Sequence, residues 1–244
     1  MSELILDAAD DWAALRREYI SLRHKDKDST GPTVGHVAGE PELPDSLAWP
    51  TDSHDRPMQH LMTLDLAALP RVGLDLPASG RLVFFLDEEY AEPSILFFDD
   101  PAALRPRAYP ESFRWVPDAR IDLVAATEPC WPEGDHPYLA RFPKGHFDGV
   151  PREDPPEPLL VADHRIGGYT GVGVQYDFDC APDSTLPEGL GAEAENLPIL
   201  LAQLDYDPDA GMGWGDCGNA HWSISRPDLA ARRFDAAEFS WSCH

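Results

Sequence analysis

The sequence predicts an α+β fold, strand-rich, with largely antiparallel sheets in two candidate repeat halves and a helix at the N-terminus. Three observations predict it. Trp12, Leu15, Tyr19 and Leu22 recur at three- and four-residue steps, the spacing of one helical face. Beyond them the chain breaks into short apolar runs bounded by Pro, Gly and Asp, which read as strands. Its 25 Pro and 18 Gly residues punctuate too often for a helix bundle. Finally, two stretches repeat one order of motifs. Gly39-Glu40-Pro41, a run ending Leu64-Asp65-Leu66, and Gly80 before Leu82–Leu86 are echoed by Gly167-Gly168, a run ending Leu204-Asp205-Tyr206, and Gly218 before Ala220–Ile224.

Taken in order, the helix is expected over Asp10–Leu22, with Asp7 or Asp10 as its cap. The charged segment His24–Gly31 reads as a loop. Strands are expected at Met58–Asp65, Arg81–Asp87, Ser94–Phe98, Arg120–Ala125, Pro198–Asp205 and Ala220–Ile224. The tail Phe239–His244 alternates apolar and polar residues, the period of a half-buried strand. Glu128–Pro158 holds eight prolines, which fix φ and remove donors, so it reads as a connector. The expected organisation is one domain over 1–244, with repeat halves 33–127 and 159–244 joined by the Pro-rich 128–158.

A composition of 43% hydrophobic residues is that of a folded chain, and the balance of 44 acids against 19 Lys and Arg gives a net charge of −25. Such a field repels phosphate backbones and anionic membranes, so neither nucleic acid nor membrane is an expected partner. It attracts a basic protein instead. Cys130, Cys180, Cys217 and Cys243 lie far apart with no CxxC, the usage of reduced thiols. The N-terminus lacks the basic start and apolar core of a signal peptide, and no apolar run approaches the roughly 18 residues of a membrane span. A cytoplasmic location is expected.

The richest stretch chemically is Leu200–Ile224. Asp205, Asp207 and Asp209, followed by Asp216, overlap a calcium-loop spacing. The turn glycine is displaced to Gly211, however, Pro208 stiffens the loop and the flanks read as strands, so an acidic turn is expected and no metal. Cys217 and His221 lie four apart, roughly 13 Å in a strand and too far for a thiolate–imidazole pair. Nine scattered histidines form no H-E-x-x-H. The Gly167–Gly173 run has no following basic residue to hold phosphate and reads as a tight turn. Trp214, between two glycines, either folds onto the core or is exposed for recognition.

In their order these residues resemble the YwqG-like family of bacterial proteins of unknown function. The resemblance rests on Leu200–Asp207, Met212, Trp214-Gly215-Asp216, Gly218, Trp222-Ser223-Ile224 and Asp228-Leu229. In the first half it rests on Gly39–Pro44, Trp49-Pro50, Pro57, Leu64-Asp65-Leu66, Leu76-Pro77 and Gly80 before Phe84-Phe85. His164 with Gly167-Gly168-Tyr169 fits the segment between. Ala38 and Thr170 depart from the pattern, as does the stretch Asp99–Leu159. The resemblance implies an α+β protein with no established activity, and relatives in toxin–immunity gene neighbourhoods make a toxin the most concrete basic partner. The expected function is therefore non-enzymatic binding of a basic protein, with no catalytic residues and no cofactor. The alternative is an enzyme or small-ligand protein whose site is built from Gln203, Asp205, Asp207, Trp214 and Asp216.

Overall fold

A computed structural model describes residues 2–113, 120–132, 139, 142–150, 164–169, 198–216 and 218–242. The described chain is mostly β, which corrects the expected α+β class. Its two α-helices are α1, Ser2–Ala14, and α2, Arg226–Ala230. The strands are β1 (Arg17–His24), β2 (Gly35–Val37), β3 (Glu42–Pro44), β4 (Gln59–Asp65), β5 (Arg81–Leu86) and β6 (Pro93–Phe98), then β7 (Leu104–Pro106), β8 (Ile121–Cys130), β9 (His164–Ile166), β10 (Pro198–Asp205), β11 (Asn219–Ser225) and β12 (Glu238–Ser242).

Ten of them form one sheet, ordered β12-β11-β10-β9-β1-β8-β2-β4-β5-β6, while β3 and β7 make a separate two-stranded ribbon. Each described pairing is antiparallel. The sheet curls until its ends meet. Phe97 of β6 packs on Phe234, which precedes β12, with ring centroids 5.3 Å apart, and Arg232 reaches Asp99 at 2.6 Å. Barrel-like closure of this kind shortens exposed strand edges.

The expected helix over Asp10–Leu22 is half right. Trp12 and Leu15 belong to the α1 end and pack with Ala8 on Phe147 and Val150. Tyr19 and Leu22 instead lie in β1, at the middle of the sheet between β8 and β9. Their three-residue spacing satisfies a helical face, but Tyr19, Ile20, Ser21 and Leu22 are all buried, and a strand covered on both sides carries no period at all. The helix lies earlier, over residues whose apolar pattern, Leu4-Ile5-Leu6, is too short to reveal one.

The strand expectations fare better, since Pro198–Asp205 is β10 residue for residue. Both β4 and β10 carry a register irregularity, at His60/Met62 and at Leu200/Ala202. An extra residue there flips the side-chain phase. As a result Leu61, Met62 and Leu64 all enter the main core, as do Leu201, Ala202 and Leu204. On β5, Leu82, Phe84 and Leu86 face that core, while Val83 and Phe85 enter a second cluster with Leu43 and Met58, against which Trp49 packs. Much of the Pro-rich 128–158 segment, the run beyond Tyr169, Trp115, Cys180, Cys217 and Cys243 lie outside the described residues.

Candidate functional site: a histidine–aspartate–histidine cluster

Because β9 lies between β1 and β10, residues remote in sequence meet at one end of these three strands. His24 closes β1, His164 opens β9, and Asp207 stands two residues beyond β10. Asp207 is held there by a tight loop, in which its backbone exchanges hydrogen bonds of 2.9 and 2.8 Å with Met212. Its carboxylate is buried and fully engaged. Oδ1 accepts from the Ala210 amide at 3.1 Å. Oδ2 faces His24 Nε2 at 2.7 Å and His164 Nε2 at 3.1 Å.

The tautomer of His164 follows from its other nitrogen. The Asp205 amide donates to His164 Nδ1 at 3.2 Å, so Nδ1 offers a lone pair and the ring proton sits on Nε2, donating to Asp207. The imidazoles hold the Asp207 carboxyl well below the usual carboxylate range, against a burial effect that on its own would raise it. The hydrogen bond to Asp207 raises the His24 pKa, outweighing its burial, and the Asp207 and Asp209 charges add to the rise.

The three ligand-type atoms lie within 4.8 Å of one another, the composition of a two-histidine, one-carboxylate metal set. The hydrogen bonding does not fit such a role for His164. A neutral imidazole that ligates through Nε2 carries its proton on Nδ1 and donates from it, yet here Nδ1 accepts from Asp205. The arrangement works instead as a proton-holding clamp that ties three strands and the Asp207 loop together.

The pH dependence has a definite sign. Asp207, with its pKa lowered, contributes fully above its unfolded value near 3.9 and loses that contribution progressively as pH falls from there through the folded value. His24, with its pKa raised, contributes fully below its unfolded value of about 6.5 and loses that contribution as pH rises through the folded value. We therefore expect His24→Gln to cost more stability near pH 5.5 than near pH 9, measured as the shift in urea midpoint at each pH. An equal cost at both would show that His24 is uncharged in the fold.

The five residues expected for a ligand site divide. Gln203 Nε2 donates to Asp205 Oδ1 at 2.8 Å, Asn219 Nδ2 donates to the same oxygen at 3.1 Å, and Trp214 Nε1 donates to the Asp205 carbonyl at 3.2 Å. Gln203, Asp205 and Trp214 are thus brought together, and Trp214 is buried, packed edge-on against Tyr90. Asp207 turns to the histidines, and Asp216 is exposed. The calcium spacing is not assembled, because the carboxylates of Asp205 and Asp207 point to amides and imidazoles respectively. His24 carries no local signal and His164 only its place in the family resemblance, since their shared partner Asp207 lies far along the chain.

A second histidine pair shows the contrasting environment. His36 and His60 lie 5.3 Å apart, centroid to centroid, and among the described residues no carboxylate pairs with either ring. His60 bonds Gly39 O at 3.1 Å and Thr63 Oγ1 at 2.9 Å. Burial pushes their pKa values down to about 4 and about 3, so both are neutral packing groups.

Among the described residues no helix is long and apolar enough to cross a membrane. No curated protein matches the chain. A family described as a domain of unknown function, DUF1963, matches residues 35–243, and the chain belongs to that family.

Proposed function

We propose that this protein acts by binding rather than catalysis, engaging a basic protein partner through an acidic face that carries an exposed tryptophan. The carrying observation is Trp241, 40% exposed in β12. Tyr90 lies 6.0 Å from it and 5.5 Å from Trp214, centroid to centroid. Through Tyr90 the turn that carries exposed Glu88 and Glu89, the latter paired with Arg56 at 2.7 Å, is joined to the loop that bears exposed Asp216. An accessible aromatic ring on a strongly acidic protein suits a basic partner, since tryptophan supplies contact area and charge supplies steering. The net charge of −25 extends that steering beyond the patch.

The finer readings belong to this proposal: a YwqG-like protein of the cytoplasm, with a toxin as the most concrete basic partner and no role for nucleic acid. So does duplication of residues 33–127 and 159–244 within one domain. It is supported by the sheet order, in which β2-β4-β5-β6 and β9-β10-β11-β12 flank the central β8 and β1 as matching sets. Each set runs from a three-residue strand to a bulged one. The bulges and the closing Asp65 and Asp205 correspond, but the second set borrows its inner neighbour, β1, from the N-terminus.

The test is a pull-down at low and high salt with the wild-type chain and with a Glu88→Lys, Glu89→Lys variant. The expected result is a basic protein retained at low salt, released at high salt, and missing from the variant. Retention that ignores both salt and the two substitutions would sink this reading.

A further inference from the structure

At the end of β1, β9 and β10 opposite the histidine cluster, the described residues form a half-open cavity of about 350 Å³. Its lining is unlike the rest of the molecule. Three of the 19 Lys and Arg residues of a chain with net charge −25, namely Arg16, Arg17 and Arg226, border this one space. Glu18 is the one acid among the described lining residues, which leaves the arginines in excess, and Leu74, Ile199 and Leu200 supply apolar wall. We propose that this cavity binds a small organic anion, its carboxylate or phosphate held by the arginines and its apolar body against the leucine and isoleucine side chains.

The cationic side is built rather than incidental. Arg17 stacks over the Tyr169 ring at 4.1 Å and reaches the Gly168 carbonyl at 3.5 Å, which holds its guanidinium in place. Arg226 opens α2, whose start is fixed by Ser225 accepting from the Asp228 amide. Arg16 lies beside Glu18 at 3.2 Å, an exposed pair that solvent screens.

The turn at Gly167 and Gly168 contributes a stretch of backbone to the lining. Gly167 and Gly168 both take left-handed φ, +71° and +78°. A Cβ on Gly168 would come within 2.7 Å of Tyr19 Cβ and 2.9 Å of Cys130 Sγ. Only glycine lets the chain turn there without striking the Tyr19 and Cys130 side chains, and that fixes the backbone of the Gly167-Gly168 turn at the cavity. Planar guanidinium forks match oxyanion geometry. The negative field of the whole protein slows the arrival of anions, but at physiological salt it is screened beyond about 8 Å, so the local arginines dominate once the ligand is inside.

This inference is independent of the basic-partner reading, because it concerns a different face and a ligand of opposite charge. Isothermal titration of the full chain with phenyl phosphate, benzoate and inorganic phosphate tests it. Saturable binding is expected for phenyl phosphate, for benzoate or for both, tighter than for inorganic phosphate. The two organic arms separate a phosphate from a carboxylate ligand. Arg226→Gln and Arg16→Gln should each weaken binding about tenfold, the value of one charge-assisted contact, with Lys27→Gln as the neutral control. Both arginines are at least partly exposed, so folding of the variants is expected, and circular dichroism verifies it. No saturable heat at millimolar ligand overturns the proposal. So does binding indifferent to both arginine substitutions, or no tighter for either organic anion than for inorganic phosphate.

Discussion

Asp207→Asn is expected to lower the unfolding free energy by about 3 kcal/mol, a large effect for a substitution that conserves volume. The side chain is buried, and its two oxygens accept three hydrogen bonds, two of them from imidazoles on different strands. An amide in the same place keeps one carbonyl oxygen and turns N–H groups toward the donors. The backbone bond from Asp205 fixes the His164 tautomer, so that ring cannot become an acceptor without losing its other partner. Urea denaturation of wild type and variant at neutral pH measures the effect. A loss below about 1 kcal/mol would mean that solvent or ring rotation satisfies the donors, as for an ordinary surface pair. A double-mutant cycle with His24→Gln then apportions the bond to each imidazole.

The cluster also shows which parts of this molecule could be read in advance. Short apolar runs closed by Pro, Gly or Asp gave β4, β5, β6, β10 and β11 within a residue or two, because local composition limits where a strand can start and stop. The core phase of β4 and β10 was not legible, since a bulge leaves no residue signature but moves the side chains that follow it. The second half of the helix expected over Asp10–Leu22 failed for a physical reason: central strands buried on both faces lose their alternation, and chance spacings then look helical. Asp207 stands out through its acidic neighbours, whose spacing overlaps a calcium loop but reads as an acidic turn. Its actual partners are histidines contributed by β1 and β9, and only the strand order brings them to it. The class itself moved from α+β to mostly β because one segment read as helix is the middle of the sheet.

The matching flanks of the sheet raise the question of whether they fold as one unit, and Trp222→Ala is the substitution that asks it. Trp222 lies on β11 with no exposed surface. Its ring meets Phe84 of β5 edge-on at 5.5 Å and Phe239 of β12 at 5.0 Å. Phe84 and Trp222 occupy corresponding positions in the two sets of strands, so their contact spans the interior between them. Truncation removes one of the two tryptophans of the shared core and opens a cavity that rigid strands cannot close, at an expected cost of about 3–5 kcal/mol. Trp222→Phe retains the aromatic contacts and should cost less, about 1–2 kcal/mol. Urea unfolding followed by far-UV circular dichroism and by intrinsic fluorescence tests both size and cooperativity. Coincident transitions shifted to lower urea are expected, because the main core draws on both sets of strands without a break. If the two probes separate in Trp222→Ala, the halves hold their own structure and the shared core is a contact between units rather than the nucleus of one.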